Sequence, residues 1–351
     1  MDISIIVPVG RPQSAYGTIL SILEQSYLPS STEIILVGAD LTLLKQKLND
    51  ERIHFLDLPC RCSPSKTRIA AVNRSHGLYY LFIDDDIEIE KQFFEKLWPM
   101  LSGKSFLGAV GPRLPGKMSS YYSKVTDFTN FWAQQSKISA TRNWLYSAVL
   151  AVPAQVYHEV GGFDPDLEVG EDVDLTTRIR LAGYVLYYEA LLVGYHDHKR
   201  VTFGSAVEYF WQNGRLAKYQ FAGDKRLRVF SFRRAVLGSI YCLWNTIRCN
   251  IKEISAVVIH IPGIILMYIV FNLSLEFHRQ KYMKAHIAKQ DIVTIKKLYP
   301  DSNPSYLKML IHNDAGNVYR SFMYLILCHL KELLIFIFPV FISLLLYLLL
   351  K

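Results

Sequence analysis

The stretch Leu78-Tyr79-Tyr80-Leu81-Phe82-Ile83-Asp84-Asp85-Asp86 is an apolar run that stops abruptly on three carboxylates. Its length and its aromatic and β-branched content read as a strand over Leu78–Ile83. Three adjacent acids repel one another, so they belong at an open end of that strand, beside something cationic. Upstream, short β-branched runs alternate with helical patterns. Ile3–Val7, Glu33–Val37 and Ile53–Leu56 read as strands, and Gln13–Gln25, Leu41–Leu48 and Ser65–Ser75 as helices. Strands separated by single helices call for right-handed crossovers and a mostly parallel sheet covered on both faces. In such α/β sheets ligands bind beyond the carboxyl ends of the strands, where the acidic triplet lies.

Downstream, Lys91–Ser102 reads as a helix, Leu107–Val110 as a strand, and the Tyr- and Trp-rich stretch that follows shows little periodicity. Tyr146–Val152 resumes a strand and Gln155–Val160 a short helix. A further helix starts near Glu171 and runs to Ala182, where Gly183 stops it.

The 351 residues are 51% apolar and 20% charged, with a mean hydropathy of +0.15, which excludes a disordered chain. Five cysteines (Cys60, Cys62, Cys242, Cys249 and Cys328) are odd in number and lack zinc spacing, which points to a reducing compartment. The opening Met1-Asp2 has no basic leader, so the main domain is expected in the cytosol. Net charge is +8, and residues Val201–Lys252 carry nine basic against two acidic side chains. This basic stretch runs into an apolar segment and carries no nucleic-acid-binding signature, so anionic lipid is the expected partner and nucleic acid is not.

Three groups of residues are suited to chemistry. Consecutive carboxylates after a buried strand suit a hard divalent cation, Mg²⁺ or Mn²⁺, bridged to substrate phosphates. The plain alternative is a solvated turn or a helix cap. A second acidic cluster, Gly170-Glu171-Asp172-Val173-Asp174, opens a helix. Acids there complement the helix dipole, which suffices for Asp174, while Asp172 is the candidate general base toward an acceptor hydroxyl. In Tyr195-His196-Asp197-His198, His196 is the candidate third metal ligand.

This ordered set resembles glycosyltransferase family 2. The matching residues are Ser4-Ile-Ile-Val-Pro8, Arg68, Gly77 to Asp86, Val160-Gly-Gly-Phe-Asp-Pro165 and Gly170-Glu-Asp-Val-Asp174, spread over roughly residues 3–200. The resemblance implies a GT-A fold, Rossmann-like with flanking helices, and inverting transfer of a sugar from a nucleotide donor. By the same resemblance Asp84 would contact the ribose and Asp86 the metal; Asp84 and His196 are the further candidate metal ligands. Pro8, Arg68 and Asp85 would line the donor, and Asp172 would match the family's base. Gly38-Ala39 replaces the acidic pair that often holds the nucleotide base, with Asp40 displaced, and Ile69 replaces an expected Asn after Arg68. Trp211-Gln-Asn-Gly-Arg215 resembles the Gln-x-x-Arg-Trp element of polysaccharide synthases without its Trp, which makes Arg215 a candidate ligand of the pyrophosphate.

Ile254–Leu275 and Leu333–Leu350 contain no Lys, Arg, Asp or Glu and have membrane-spanning length. The expected organisation is a catalytic domain over 1–225, basic interfacial helices and a first membrane segment over 226–275, a basic connection over 276–332, and a C-terminal transmembrane helix over 333–351. The connection Arg279–Lys331 carries nine Lys and Arg, so the first segment is either a re-entrant hairpin kinked at Pro262-Gly263 or a full pass against the positive-inside rule. The sequence-level expectation is a membrane-attached inverting glycosyltransferase, its catalytic domain on the cytoplasmic side of the cell membrane. It would move a sugar from a nucleotide-sugar donor, UDP-linked first, to a lipid-linked or envelope-polysaccharide acceptor. A nucleotidyltransferase and an inert membrane scaffold of the same fold are the alternatives. The first would show a Gly-rich phosphate loop where Val9-Gly10-Arg11-Pro12 is too short, and the second would not keep both acidic clusters.

Overall fold

A computed structural model describes residues 1–102, 107–117, 120–129, 134–167, 170–214, 232–249 and 254–285. Its first half alternates strand and helix: β1 (Ile3–Val9), α1 (Pro12–Leu23), β2 (Thr32–Gly38), α2 (Thr42–Lys47), β3 (Ile53–Asp57), α3 (Pro64–Val72) and β4 (Tyr79–Ile83). There follow β5 (Ile87–Ile89), α4 (Phe93–Ser102), β6 (Leu107–Arg113), α5 (Tyr121–Thr129), β7 (Ala140–Thr141), β8 (Val149–Pro153), α6 (Ala154–Glu159), α7 (Glu171–Leu181), β9 (Val185–His196) and α8 (Phe203–Asn213). Two longer helices close the described chain, α9 (Phe232–Cys249) and α10 (Ile254–Ala285).

The strands form one sheet in the order β3-β2-β1-β4-β8-β6-β9-β5, with β7 paired to β9. β1, β2, β3 and β4 are mutually parallel. β8 is antiparallel to both β4 and β6, and β6 is parallel to β9. β6 and β9 therefore point the same way as β1 to β4, and the reversed strands are β5, β7 and β8. The sheet is mixed rather than parallel throughout because β8 enters between two strands of the opposite sense, after the long excursion from Leu114 to Ala148. Six carboxyl ends still share one edge.

Burial of both faces explains the near-continuous apolar strands. On β1, Ile3, Ile5 and Val7 join Ala15, Ile19 and Ile22 of α1 in one core, while Ile6 turns to the other face. There it meets Ala71 of α3, Phe82 of β4 and Leu175 and Ile179 of α7. Pro12 opens α1, where a missing N–H costs nothing, and Ser63 caps α3 by accepting from the Lys66 amide.

Met1–Asn213 groups with Thr246–Val270 as one unit, and Gly214–Asn245 with the chain from Phe271 as a second. Within the first unit α10 packs along α5. The His260 ring stacks on Tyr121 with centroids 4.9 Å apart, and the Tyr268 hydroxyl donates to the Thr129 carbonyl at 3.1 Å. Val257, Ile264 and Met267 are buried on that side, while Val258, Ile259 and Leu266 are exposed. Ile254–His278 is the one segment among the described residues long and apolar enough to cross a membrane. Leu333–Leu350 lies outside the described residues.

Candidate active site

All three aspartates sit at the shared edge, each with a different task. The Asp85 carboxylate is almost fully buried and accepts from the amides of Gly10 and Arg11 at 2.7 and 2.6 Å, and from the Arg11 guanidinium at 2.6 Å. Asp85 thereby fixes the turn that leaves β1 and starts α1. Pro8 lies on β1 just before that turn, in register with Val37 of β2. Asp86 shares the same Arg11 guanidinium, with Nη2 2.8 Å from its Oδ2, and faces His196 Nε2 at 3.5 Å. Burial opposes the charge on Asp86, but the His196 contact and Arg11 outweigh it and hold the carboxyl well below the usual carboxylate range.

The antiparallel pairing of β5 with β9 brings His196 to this point. Ile87 is in register with His196, so the imidazole at the carboxyl end of β9 lies beside the carboxylate just before β5. The Asp197 amide donates to the Asp86 carbonyl at 2.8 Å and locks that register. His198, also buried, packs its ring edge-on to His196 at 5.5 Å and points Nε2 at Asp127 of α5, 3.4 Å away.

Asp84 meets a different cation. Arg68, only 2% exposed, donates to Asp84 Oδ1 at 2.6 Å with one terminal nitrogen and to Glu171 Oε1 at 2.9 Å with the other. Its guanidinium also lies 5.4 Å from the Phe163 ring centroid. One side chain from α3 thus ties the acidic end of β4 to the first turn of α7. Burial pushes Asp84 up to about 6, with Arg68 pulling the other way.

Gly170 adopts a φ of +81°, a left-handed conformation suited to glycine, and starts α7 so that Glu171 and Asp172 occupy its first turn. Asp172 accepts from the Ser147 amide at 3.3 Å and from the Val173 amide at 2.7 Å. Burial, aided by the adjacent Glu171 carboxylate, pushes Asp172 up to about 7. Asp174 points elsewhere and pairs with Arg178 at 2.6 Å, one turn along the helix. Arg178 in turn donates to the carbonyls of Val160 and Gly162 and holds the loop before α7.

Among the described residues no group of three His, Cys, Asp or Glu side chains is arranged to hold an ion alone. Asp86 and His196 nonetheless fit as a pair, since adjacent ligands of an octahedral ion lie about 3 Å apart and a hard cation commonly takes its other oxygens from substrate phosphates. Asp40 caps the amide of Thr42 at 3.2 Å, and Gly38 comes so close to β1 that a Cβ there would lie 2.4 Å from the Val9 carbonyl. Arg215 lies outside the described residues. Sequence reasoning missed Arg11 as a ligand of two aspartates, and Glu171 as the second anchor of Arg68. The Gly10-Arg11-Pro12 junction, a cation at the turn between a buried strand and a Pro-started helix, was the available signal for the first.

An α/β sheet with a cationic, doubly acidic cleft at its carboxyl edge is the class that fold and site define, and comparisons with known proteins agree with it. No family model matches the sequence. The pre-mycofactocin glycosyltransferases of two Mycobacterium tuberculosis strains are 24% identical over 154 residues, covering 42% of this chain and 33% of theirs. The chain thus spans about a third of the length of the curated relatives it matches. Among solved structures, residues 1–349 of Staphylococcus aureus TarS match over 82% of this chain and 92% of theirs, at 16% identity and a TM-score of 0.46. The mannosyltransferase PcManGT of Pyrobaculum calidifontis, in complex with GDP-Man and Mn²⁺, matches over 86% and 88%, at 14% identity and a TM-score of 0.48. Over those 154 residues the chain is similar in sequence to glycosyltransferases, in keeping with the resemblance of its motifs.

Proposed function

We propose that the protein is a membrane-associated inverting glycosyltransferase that moves a sugar from a nucleotide-diphosphate donor, a UDP-sugar first, to a hydroxyl of a lipid-linked or envelope-polysaccharide acceptor. The Arg68 bridge carries this reading. It joins Asp84, the first of the three strand-ending carboxylates, to Glu171, whose chain neighbour Asp172 is the carboxylate suited to act as a base. The glycosyltransferase relatives support the same reaction class.

In this reading Asp86 and His196 would hold a divalent cation, which would supply positive charge to a departing diphosphate. Asp84 would accept from the donor's ribose. Arg68 is a positioning residue, since both of its ends already carry carboxylates. Asp172 takes the proton of the acceptor hydroxyl as the acceptor oxygen bonds to the anomeric carbon. The bond from that carbon to the diphosphate oxygen breaks on the opposite face, which inverts the configuration and releases the nucleoside diphosphate. A base that titrates near the working pH suits this task.

The membrane role rests on the apolar, outward side of α10 and on the basic sequence between Val201 and Lys252, which favours the anionic cytoplasmic leaflet. The test is titration calorimetry of the full chain in detergent with UDP, GDP and dTDP, each with and without Mn²⁺. Metal-dependent binding of one nucleotide, lost in Asp86→Ala, is expected. Absence of binding by all three would contradict the reading.

A further inference from the structure

A cavity of about 210 Å³ lies between the carboxyl end of β6 and the loop before β8. Its walls include Gln134, Arg142, Trp144, Tyr146 and Tyr188. Gln134 is only 3% exposed, and neither its amide nitrogen nor its amide oxygen has a hydrogen-bond partner. The residue itself is well anchored, because its carbonyl accepts from the Leu114 amide at 2.7 Å and from the Tyr188 hydroxyl at 3.0 Å. A buried amide left unsatisfied at both ends on a fixed backbone is rare in folded proteins and marks a place where a polar ligand completes the set.

Arg142 supplies the second half of the observation. Its amide donates to the Leu186 carbonyl at 3.0 Å, and its guanidinium lies over the Tyr188 ring, 4.8 Å from the centroid. Its buried Nε has no acceptor, and the side chain makes no ion pair among the described residues. The cavity therefore combines an uncompensated cation, a free donor and acceptor, and the edge-to-face pair Trp144 and Tyr146, 4.6 Å between centroids. Its volume is below the about 300–1,000 Å³ of pockets for drug-sized ligands, so it suits one small ring. Tyr146, which lines the cavity, immediately precedes Ser147, whose amide donates to Asp172, so one wall of the cavity is next in the chain to the residue that holds the proposed base. Burial, with the Asp172 carboxylate adding to it, pushes the Tyr146 hydroxyl up, as expected for side chains that share this corner.

We propose that this cavity is an acceptor subsite for a sugar bearing an anionic substituent. The ring would lie against Trp144, its hydroxyls would pair with the Gln134 amide, and its carboxylate or phosphate would pair with Arg142. The word acceptor rests on the glycosyltransferase reading above, whereas the anionic-sugar site stands on the cavity itself.

The test measures binding of methyl β-glucuronide, glucose 6-phosphate and neutral methyl β-glucoside to the full chain in detergent by saturation-transfer NMR. Binding of UDP with Mn²⁺ is recorded in parallel. At least one anionic sugar is expected to bind about tenfold more tightly than the glucoside, as befits a hydrogen bond to a charged group. The stronger of the two probes identifies carboxylate or phosphate as the substituent. Arg142→Gln removes the preference and Gln134→Leu weakens all three sugars, with UDP binding unchanged in both variants. Equal or absent binding of charged and neutral sugars by the wild type, which needs no variant to fold, overturns the proposal. Should that occur while UDP still binds, the glycosyltransferase reading survives without this subsite. Anionic-sugar binding with no nucleotide binding would instead keep the site and remove its role as acceptor.

Discussion

At the scale of single residues, the proposed reaction turns on Arg68 and Asp172. Arg68→Ala leaves Asp84 and Glu171 facing each other in a buried corner without a cation. Breaking such a buried pair costs about 3–5 kcal/mol, so its denaturant midpoint should fall sharply, with Arg68→Lys recovering part of the loss. Asp172→Asn keeps the shape but cannot take a proton, and transfer should drop about 10²- to 10⁴-fold while nucleotide binding is retained. Because Asp172 is raised to about 7, kcat/KM of the wild type should decline as pH falls through that value, where the base becomes protonated. The stability consequence has the opposite sense. A carboxyl that titrates higher when folded binds more protons in the native state, so wild-type stability drops as pH rises from about 4 toward 7. Melting curves at pH 5 and pH 8 should show Asp172→Asn gaining relative to wild type at the higher pH, and an equal difference at both would contradict this environment. The acidic clusters were legible in the sequence, since strand-ending and helix-opening carboxylates stand out there. The division of labour among Asp84, Asp85 and Asp86 was not, because it depends on Arg11, 74 positions upstream of Asp85, and Arg68, 16 positions upstream of Asp84.

At the scale of elements, the alternating strands and helices up to β4 could be read to within a few residues, since each carries its own periodicity and stop signal. β5 and α5 escaped that reading. β5 is only Ile87–Ile89, too short for a pattern, yet its pairing with β9 is what sets His196 against Asp86. α5 buries Ser123, Thr126, Asp127 and Thr129, polar residues that give no apolar stripe, because it is held by hydrogen bonds and by α10. β8 begins three residues later than its apolar content suggests, as Tyr146 and Ser147 are turned toward Asp172. The α5–α10 contact is tight at Gly263, where a Cβ would lie 2.6 Å from Val125 Cγ2 and 2.9 Å from the Tyr121 ring. Gly263→Val should therefore lower the melting temperature in detergent through overpacking, at a cost of about 1–3 kcal/mol. An unchanged melting temperature would show that this contact does not hold in solution.

At the scale of the whole molecule, the α/β unit includes the first half of α10, whose inner face packs on α5 and whose residues Val258, Ile259 and Leu266 are apolar and exposed. Apolar surface of this kind marks contact with a membrane or a partner. Vesicles containing anionic lipid should float the protein, and the triple change Val258→Lys, Ile259→Glu, Leu266→Lys should shift it toward the soluble fraction. Flotation indifferent to those changes would place the attachment elsewhere. The central claim is that both acidic clusters serve one reaction. The direct measurement is turnover of UDP-, GDP- and dTDP-sugars by purified protein with Mn²⁺ or Mg²⁺, beside Asp86→Ala and Asp172→Asn. Metal-dependent consumption of one donor, lost in both variants while Asp172→Asn still binds the nucleotide, is the expected result. Turnover that survives either substitution, or a wild type that neither binds nor consumes any donor, would contradict it.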